Sequence, residues 1–240
     1  MRKFFLTAFA LSALFVMASS SFALEKSSER FSDDRADAWN AAGTCVIRYY
    51  NSCNDWLWVW SGWGAGDQVG VCYTTCCAST EQTTLTASWT YMRSVAPSGY
   101  GFTGTIQVAA ADANCCPTGA NLAQQSFLPV TRWNQYLWGI NVPSRFVVYS
   151  TFGPTAGIPT LVATDHPAAG PTGVQACGTC YPLTRDAHSY YYGAPGAPVC
   201  PGSVFNDGVC NAAMFAECSV VCSTISVEPQ TWGNIKNLYR

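Results

Sequence analysis

Charge is scarce in this chain. Asp, Glu, Lys and Arg make up 11% of its 240 residues, and there are only two histidines. No basic patch and no interleaving of Lys or Arg with aromatics is present to neutralise phosphates, so neither nucleic acid nor an anionic membrane surface is an expected partner. Strands do not alternate with long amphipathic helices, and no fixed-period repeat occurs, which argues against a parallel α/β sheet or a solenoid. The G-x-S-x-G elbow of many hydrolases is missing too. Neutral partners, sugars among them, fit this composition better than charged ones.

The one long apolar run is Phe4 to Met17, behind the basic Met1-Arg-Lys3 and ahead of the small residues ending at Ser21-Phe22-Ala23. It falls short of the ~20 residues that cross a bilayer as a helix. It reads as a secretory signal over 1–23 with cleavage after Ala23, and the first cysteine is as distant as Cys45, so no lipid anchor is indicated. The mature chain is expected to be secreted or extracellular, with the periplasm as the other destination, and to carry no transmembrane anchor. It keeps 10 Lys and Arg against 14 Asp and Glu, a net charge of −4. Many of these charges crowd into Glu25–Asp37, so 24–42 reads as a charged leader, with Ser32 placed to cap a short helix. Residues 43–228 suit one domain, since β-sandwiches reach ~200–250 residues, and 229–240 form a tail. In that tail Trp232, Ile235 and Tyr239 stand at helical spacing behind Thr231, either to pack on the domain or to dock a partner.

What is abundant is cysteine and tryptophan. Thirteen cysteines, Cys45, Cys53, Cys72, Cys76, Cys77, Cys115, Cys116, Cys177, Cys180, Cys200, Cys210, Cys218 and Cys222, give up to six disulfides outside the cytoplasm with one thiol over. Neighbours on an extended strand point to opposite faces, so Cys76-Cys77 and Cys115-Cys116 should reach four different partners. Cys218 and Cys222 on one strand would stand ~13 Å apart, beyond the ~7 Å limit for a bridge. Cys177-Gly-Thr-Cys180 has the spacing of a redox pair or a zinc half-site, but Pro182 disfavours the helix a redox pair needs, and a structural bridge is the plainer reading.

Strand-like texture begins at Cys45, with candidates at 45–51, 55–61, 68–74, 86–92, 102–110, 136–141, 145–152, 159–164, 188–192 and 218–226, punctuated by Gly, Pro, Asn and Asp. Gly62–Asp67 looks like a hairpin connection. The expected fold is all-β, an antiparallel two-sheet sandwich of jelly-roll type with disulfides and short terminal helices.

Trp56, Trp58 and Trp60 alternate with Leu57 and Val59, so the three indoles share one strand face. They are either a second buried layer or an exposed platform. As a platform they would leave roughly 450–750 Å² open, at or above the largest patch on a typical monomer, which would demand a partner. Trp63, among Gly62, Gly64 and Gly66, reads as the more exposed ring. Rows of indoles stack on sugar rings, so Trp56, Trp58, Trp60 and Trp63 are the candidate binding residues for a carbohydrate.

Two pairs, Asp165-His166 and Asp186-Ala-His188, offer a general base oriented by an acid, but sequence neighbours rarely make that contact. No pair of carboxylates, such as Asp112 and Glu217, is marked out for glycoside hydrolysis, and Asn206-Asp207-Gly208 is a turn signal before it is a calcium site. No cofactor or metal is called for.

Tyr50-Asn-Ser-Cys53 with the Trp run, Pro171 to Pro182 around Cys177 and Cys180, and the closing Thr231 to Arg240 resemble secreted Cys- and Trp-rich proteins of environmental bacteria. The resemblance implies export and carries no catalytic residues. The sequence thus predicts a secreted, non-catalytic binding domain for a glycan or cell-surface partner. A structural or assembly protein of the envelope or extracellular matrix comes second, and a hydrolase using His166 or His188 third.

Overall fold

The protein is described here from a computed structural model covering residues 25–30, 44–50, 56–61, 63–93, 104–153, 161–165, 188–193, 200, 202–204, 214 and 216–224. The expected signal segment, the helix expected near Ser32 and the expected C-terminal tail lie outside these residues.

Thirteen strands occur among them, and every pairing is antiparallel. They are β1 Glu25–Arg30, β2 Thr44–Arg48, β3 Trp56–Ser61, β4 Gln68–Thr74, β5 Glu81–Arg93, β6 Gly104–Ala111, β7 Pro117–Phe127, β8 Arg132–Val142, β9 Arg145–Phe152, β10 Leu161–Thr164, β11 Ser189–Gly193, β12 Ser203–Val204 and β13 Ala216–Thr224. One sheet runs β1-β3-β10-β5-β13-β2, with β8 also paired to β5; the other runs β12-β11-β4-β9-β6-β7. The two sheets pack as a sandwich. Its core takes Ile47, Leu85, Met92, Tyr136, Val162 and Val220 from the first sheet, and Val69, Val71, Tyr73, Ile106, Phe146 and Val148 from the second.

Most consecutive strands lie in different sheets, so the links run across the ends of the sandwich. Gly62–Asp67 is one of them, which corrects the hairpin reading. β3 pairs with β1 and β10, whereas β4 pairs with β9 and β11. The reason is non-local: β3 finds partners at Glu25–Arg30 and Leu161–Thr164 that no local turn signal reveals. β1 also occupies the start of the stretch expected to be a solvated leader. In β4, Gly70 lies so close to β9 that a Cβ there would meet the Cβ of Tyr149 at 2.5 Å, closer than packed carbon atoms approach.

Among the described residues, four disulfides pin these links. Cys45–Cys76 and Cys77–Cys222 tie the β4–β5 link to β2 and β13, while Cys72–Cys115 and Cys116–Cys200 hold the β6–β7 turn over the second sheet. Each vicinal pair therefore sends its two sulfurs to different partners. Cys218, a disulfide candidate by sequence, is instead a buried free thiol. It sits on the inner face of β13 beside Tyr73, and burial pushes its pKa well above the ordinary thiol value, although the tyrosine hydrogen bond opposes this. Cys53, Cys177, Cys180 and Cys210 lie outside the described residues.

Candidate functional site

The tryptophan stripe belongs to the core. Trp58, Trp60 and Trp63 are 9%, 8% and 5% exposed, and Trp56 packs half-buried against the same cluster. Trp58 and Trp60 meet edge to face at 6.2 Å, a favoured aromatic geometry. The indole N–H groups are satisfied on the way in: Trp60 donates to Thr164 Oγ1 at 2.7 Å and Trp63 to the Trp60 carbonyl at 2.9 Å. Leu57 and Val59 form a second buried cluster on the opposite face with Tyr50, Tyr91 and Ala163. Both faces of β3 are therefore covered, and the indoles form the second buried layer.

Trp63 is buried because its loop crosses between sheets. The ring inserts at the end of the sandwich against Phe152 and Tyr191, 5.5 and 5.9 Å away. Asp67 fixes the crossing: its carboxylate accepts from the Gly64 N–H at 2.6 Å and the Tyr191 hydroxyl at 2.9 Å.

His188 lies flat on Tyr49, with ring centroids 3.5 Å apart and planes within 3°. Its Nδ1 stands 3.0 Å from the Cys72 carbonyl, so that nitrogen carries the proton and the ring is anchored to backbone. His166 and Asp186 lie outside the described residues, and Asp165 is buried. Asp112 and Glu217 are not brought together. Asp112 caps the β6–β7 turn by accepting from the Asn114 and Cys116 N–H groups at 2.8 and 2.9 Å, while Glu217 is buried on β13 of the other sheet, where it accepts from the Tyr50 hydroxyl. Among the described residues, Asp112, Asp165, His188 and Glu217 form no acid–base pair with one another.

Two surface features stand out among the described residues. One is an open cleft of about 570 Å³ where the β4–β5 and β8–β9 links run side by side. Hydroxyl and amide side chains, among them Thr75, Gln82 and Asn141, share its lining with the apolar Ala78, Val142 and Pro143 and with one carboxylate from Glu81, and more of the exposed lining is apolar than polar. The other is the edge formed by β7 and β8. The large hydrophobic side chains exposed among the described residues are Leu122, Leu128, Val130 and Leu137, all on this one stretch of chain. β7 ends its sheet, paired only with β6, and between Asp112 and Arg145 the sole charged residue is Arg132. β7 escaped the sequence reading because Pro117-Thr-Gly-Ala-Asn-Leu-Ala-Gln-Gln-Ser-Phe127 neither alternates nor is rich in β-branched residues; its lack of charge was the available signal.

Among the described residues no helix is long and apolar enough to cross a membrane. No protein-family model matches the chain, and a search of curated proteins finds no match.

Proposed function

We propose that this chain is an exported, non-catalytic module that works by assembly, its β7 edge pairing with the β7 edge of a second copy. The observation that supports this reading is that the exposed large hydrophobics, Leu122 on β7, Leu128 and Val130 in the link that follows it and Leu137 on β8 of the other sheet, at 44–68% exposure, gather on one nearly uncharged stretch of chain that carries the β7 edge. Edge strands present a row of unpaired N–H and C=O groups, and soluble proteins blunt them with charge, proline or bulges. Here the bulge near Gly119, at φ +69°, breaks the ladder on one side, yet no Lys or Glu guards Ala123–Phe127. An antiparallel edge is self-complementary about a two-fold axis, so a second copy satisfies it without further design. Contact through so short an edge suits a transient interface below ~1,200 Å². Cys218 contributes no intermolecular bridge, being fully buried.

Sedimentation equilibrium tests this reading. The wild type should show reversible, concentration-dependent dimerisation, and Gln124→Lys with Ser126→Lys, which set like charges across the axis, should abolish it. A wild type that stays monomeric throughout, or self-association indifferent to both lysines, overturns the proposal.

A carbohydrate-binding role stands second, and what favours it is the cleft rather than the indoles. Its hydroxyl and amide side chains, beside the Glu81 carboxylate, match a polyhydroxylated ligand, and its apolar wall could meet the C–H face of a sugar, although no aromatic ring lines it to stack.

A further inference from the structure

We propose that Cys45, Cys76, Cys77 and Cys222 form a single thiol-exchange site, open to small-molecule or protein thiols, rather than two independent staples. The Sγ atoms of Cys76, Cys77 and Cys222 lie within 4.8 Å of one another. Two of them are bonded to each other and the third is bonded to Cys45. The cluster is accessible: Cys76 is exposed, Cys77 and Cys222 are half-buried, and Cys77 lines the open cleft. The other vicinal pair provides the contrast. Cys115 and Cys116 are 7% and 6% exposed, and among the described residues no other group of three cysteines is so close. While the bridges are closed, the sulfurs carry no thiolate charge with which to hold a cation, so the chemistry of this trio is exchange.

The steps balance without an added oxidant. An incoming thiolate attacks Cys45 Sγ; the Cys45–Cys76 bond breaks, and its electron pair leaves on Cys76. That thiolate attacks Cys222 Sγ, forms Cys76–Cys222 and expels Cys77, which takes up a proton. One thiol is consumed and one appears, with a mixed disulfide left on Cys45. The proximity of the three sulfurs makes the second step intramolecular, which is where a thiolate gains most in rate over an external one.

The test is a Cys45→Ser variant, which leaves Cys76 as a thiol beside the Cys77–Cys222 bridge. Peptide mapping after acid quench should recover both Cys77–Cys222 and Cys76–Cys222 in comparable amounts. Their interchange should quicken about tenfold per pH unit below the ordinary thiol pKa of ~8.5. Cys200→Ser, which frees Cys116 beside Cys72–Cys115, should retain Cys72–Cys115 alone. Cys77–Cys222 as the single linkage in Cys45→Ser, or equal scrambling in both variants, overturns the proposal. Should Cys45→Ser fail to fold, wild-type protein treated with limiting glutathione decides. Cys76–Cys222 appearing alongside the mixed disulfide on Cys45 supports a single site; two bridges opening without new linkages refute it.

Discussion

Replacing Trp63 with alanine separates a core ring from a binding ring. Trp63 is 5% exposed and packs on Phe152 and Tyr191. An indole buries ~150–250 Å², which at ~25 cal/mol per Å² is about 4–6 kcal/mol as an upper bound. Measured Trp→Ala losses in cores run to about 3–5 kcal/mol. With an m-value near ~3 kcal/mol/M in urea, a loss of that size moves the unfolding midpoint down by ~1 M or more. Trp63→Phe keeps a ring against Phe152 but removes the N–H that the Trp60 carbonyl accepts, so it should cost about 1–3 kcal/mol. Leu137→Ala, at a side chain 68% exposed, is the control and should stay within ~0.5 kcal/mol. Urea unfolding of the three variants, with acrylamide quenching of tryptophan emission, gives the answer. If Trp63→Ala unfolds where Leu137→Ala does and loses retention on a polysaccharide, the ring is a ligand contact and the packing argument fails.

Burial raises the pKa of Tyr73, Tyr136, Tyr149, Tyr191 and Tyr192 above the usual tyrosine value; Tyr191 is pushed up to about 12, by burial first and then by its hydrogen bond to Asp67. The folded chain thus holds protons that the unfolded chain releases above pH ~10. The stabilisation is whole below that pH and is lost as pH rises from about 10 towards 12. Tyrosinate absorbance should show these rings ionising together with unfolding, and normal titration near pH 10 in an intact fold would refute the assignment. If the cleft takes a sugar, Asn141→Ala should cut glycan retention several-fold while unfolding stays within ~0.5 kcal/mol of wild type; unchanged retention removes the cleft from consideration.

The alternation of Trp56 to Ser61 was legible as a strand, and so was the sharing of one face by its indoles. Which face meets the core was not, because that depends on what covers Leu57 and Val59, namely Tyr50, Tyr91 and Ala163 from distant parts of the chain. Trp63 misled for a related reason. Glycines around a ring suggest an exposed turn when the flanking strands pair with each other, and these do not. The opposed faces of Cys76 and Cys77 could be read from adjacency alone. That their sulfurs and that of Cys222 would crowd together required the β4–β5 link to fall on the ends of β2 and β13, which only sheet order determines.

The scarcity of charge acts in two places at once. It lets both faces of β3 and the inner faces of both sheets be buried with few ions to desolvate, and two of the buried acids, Asp67 and Glu217, accept hydrogen bonds from tyrosine hydroxyls. That arrangement is the ordinary condition for burying a carboxylate. On the surface the same scarcity removes the usual guard from a sheet edge. From Asp112 to Arg145 the chain turns through β7, crosses to the other sheet and returns along β8 with Arg132 as its one intervening charge. A monomer adapted to remain alone would carry lysine or glutamate at positions such as Gln124 and Ser126, where substitution disturbs no core contact. Neutral residues there, while Glu25–Asp37 is crowded with charge, are what an assembling edge requires, and placing charge at those two positions is the perturbation that tells assembly from indifference.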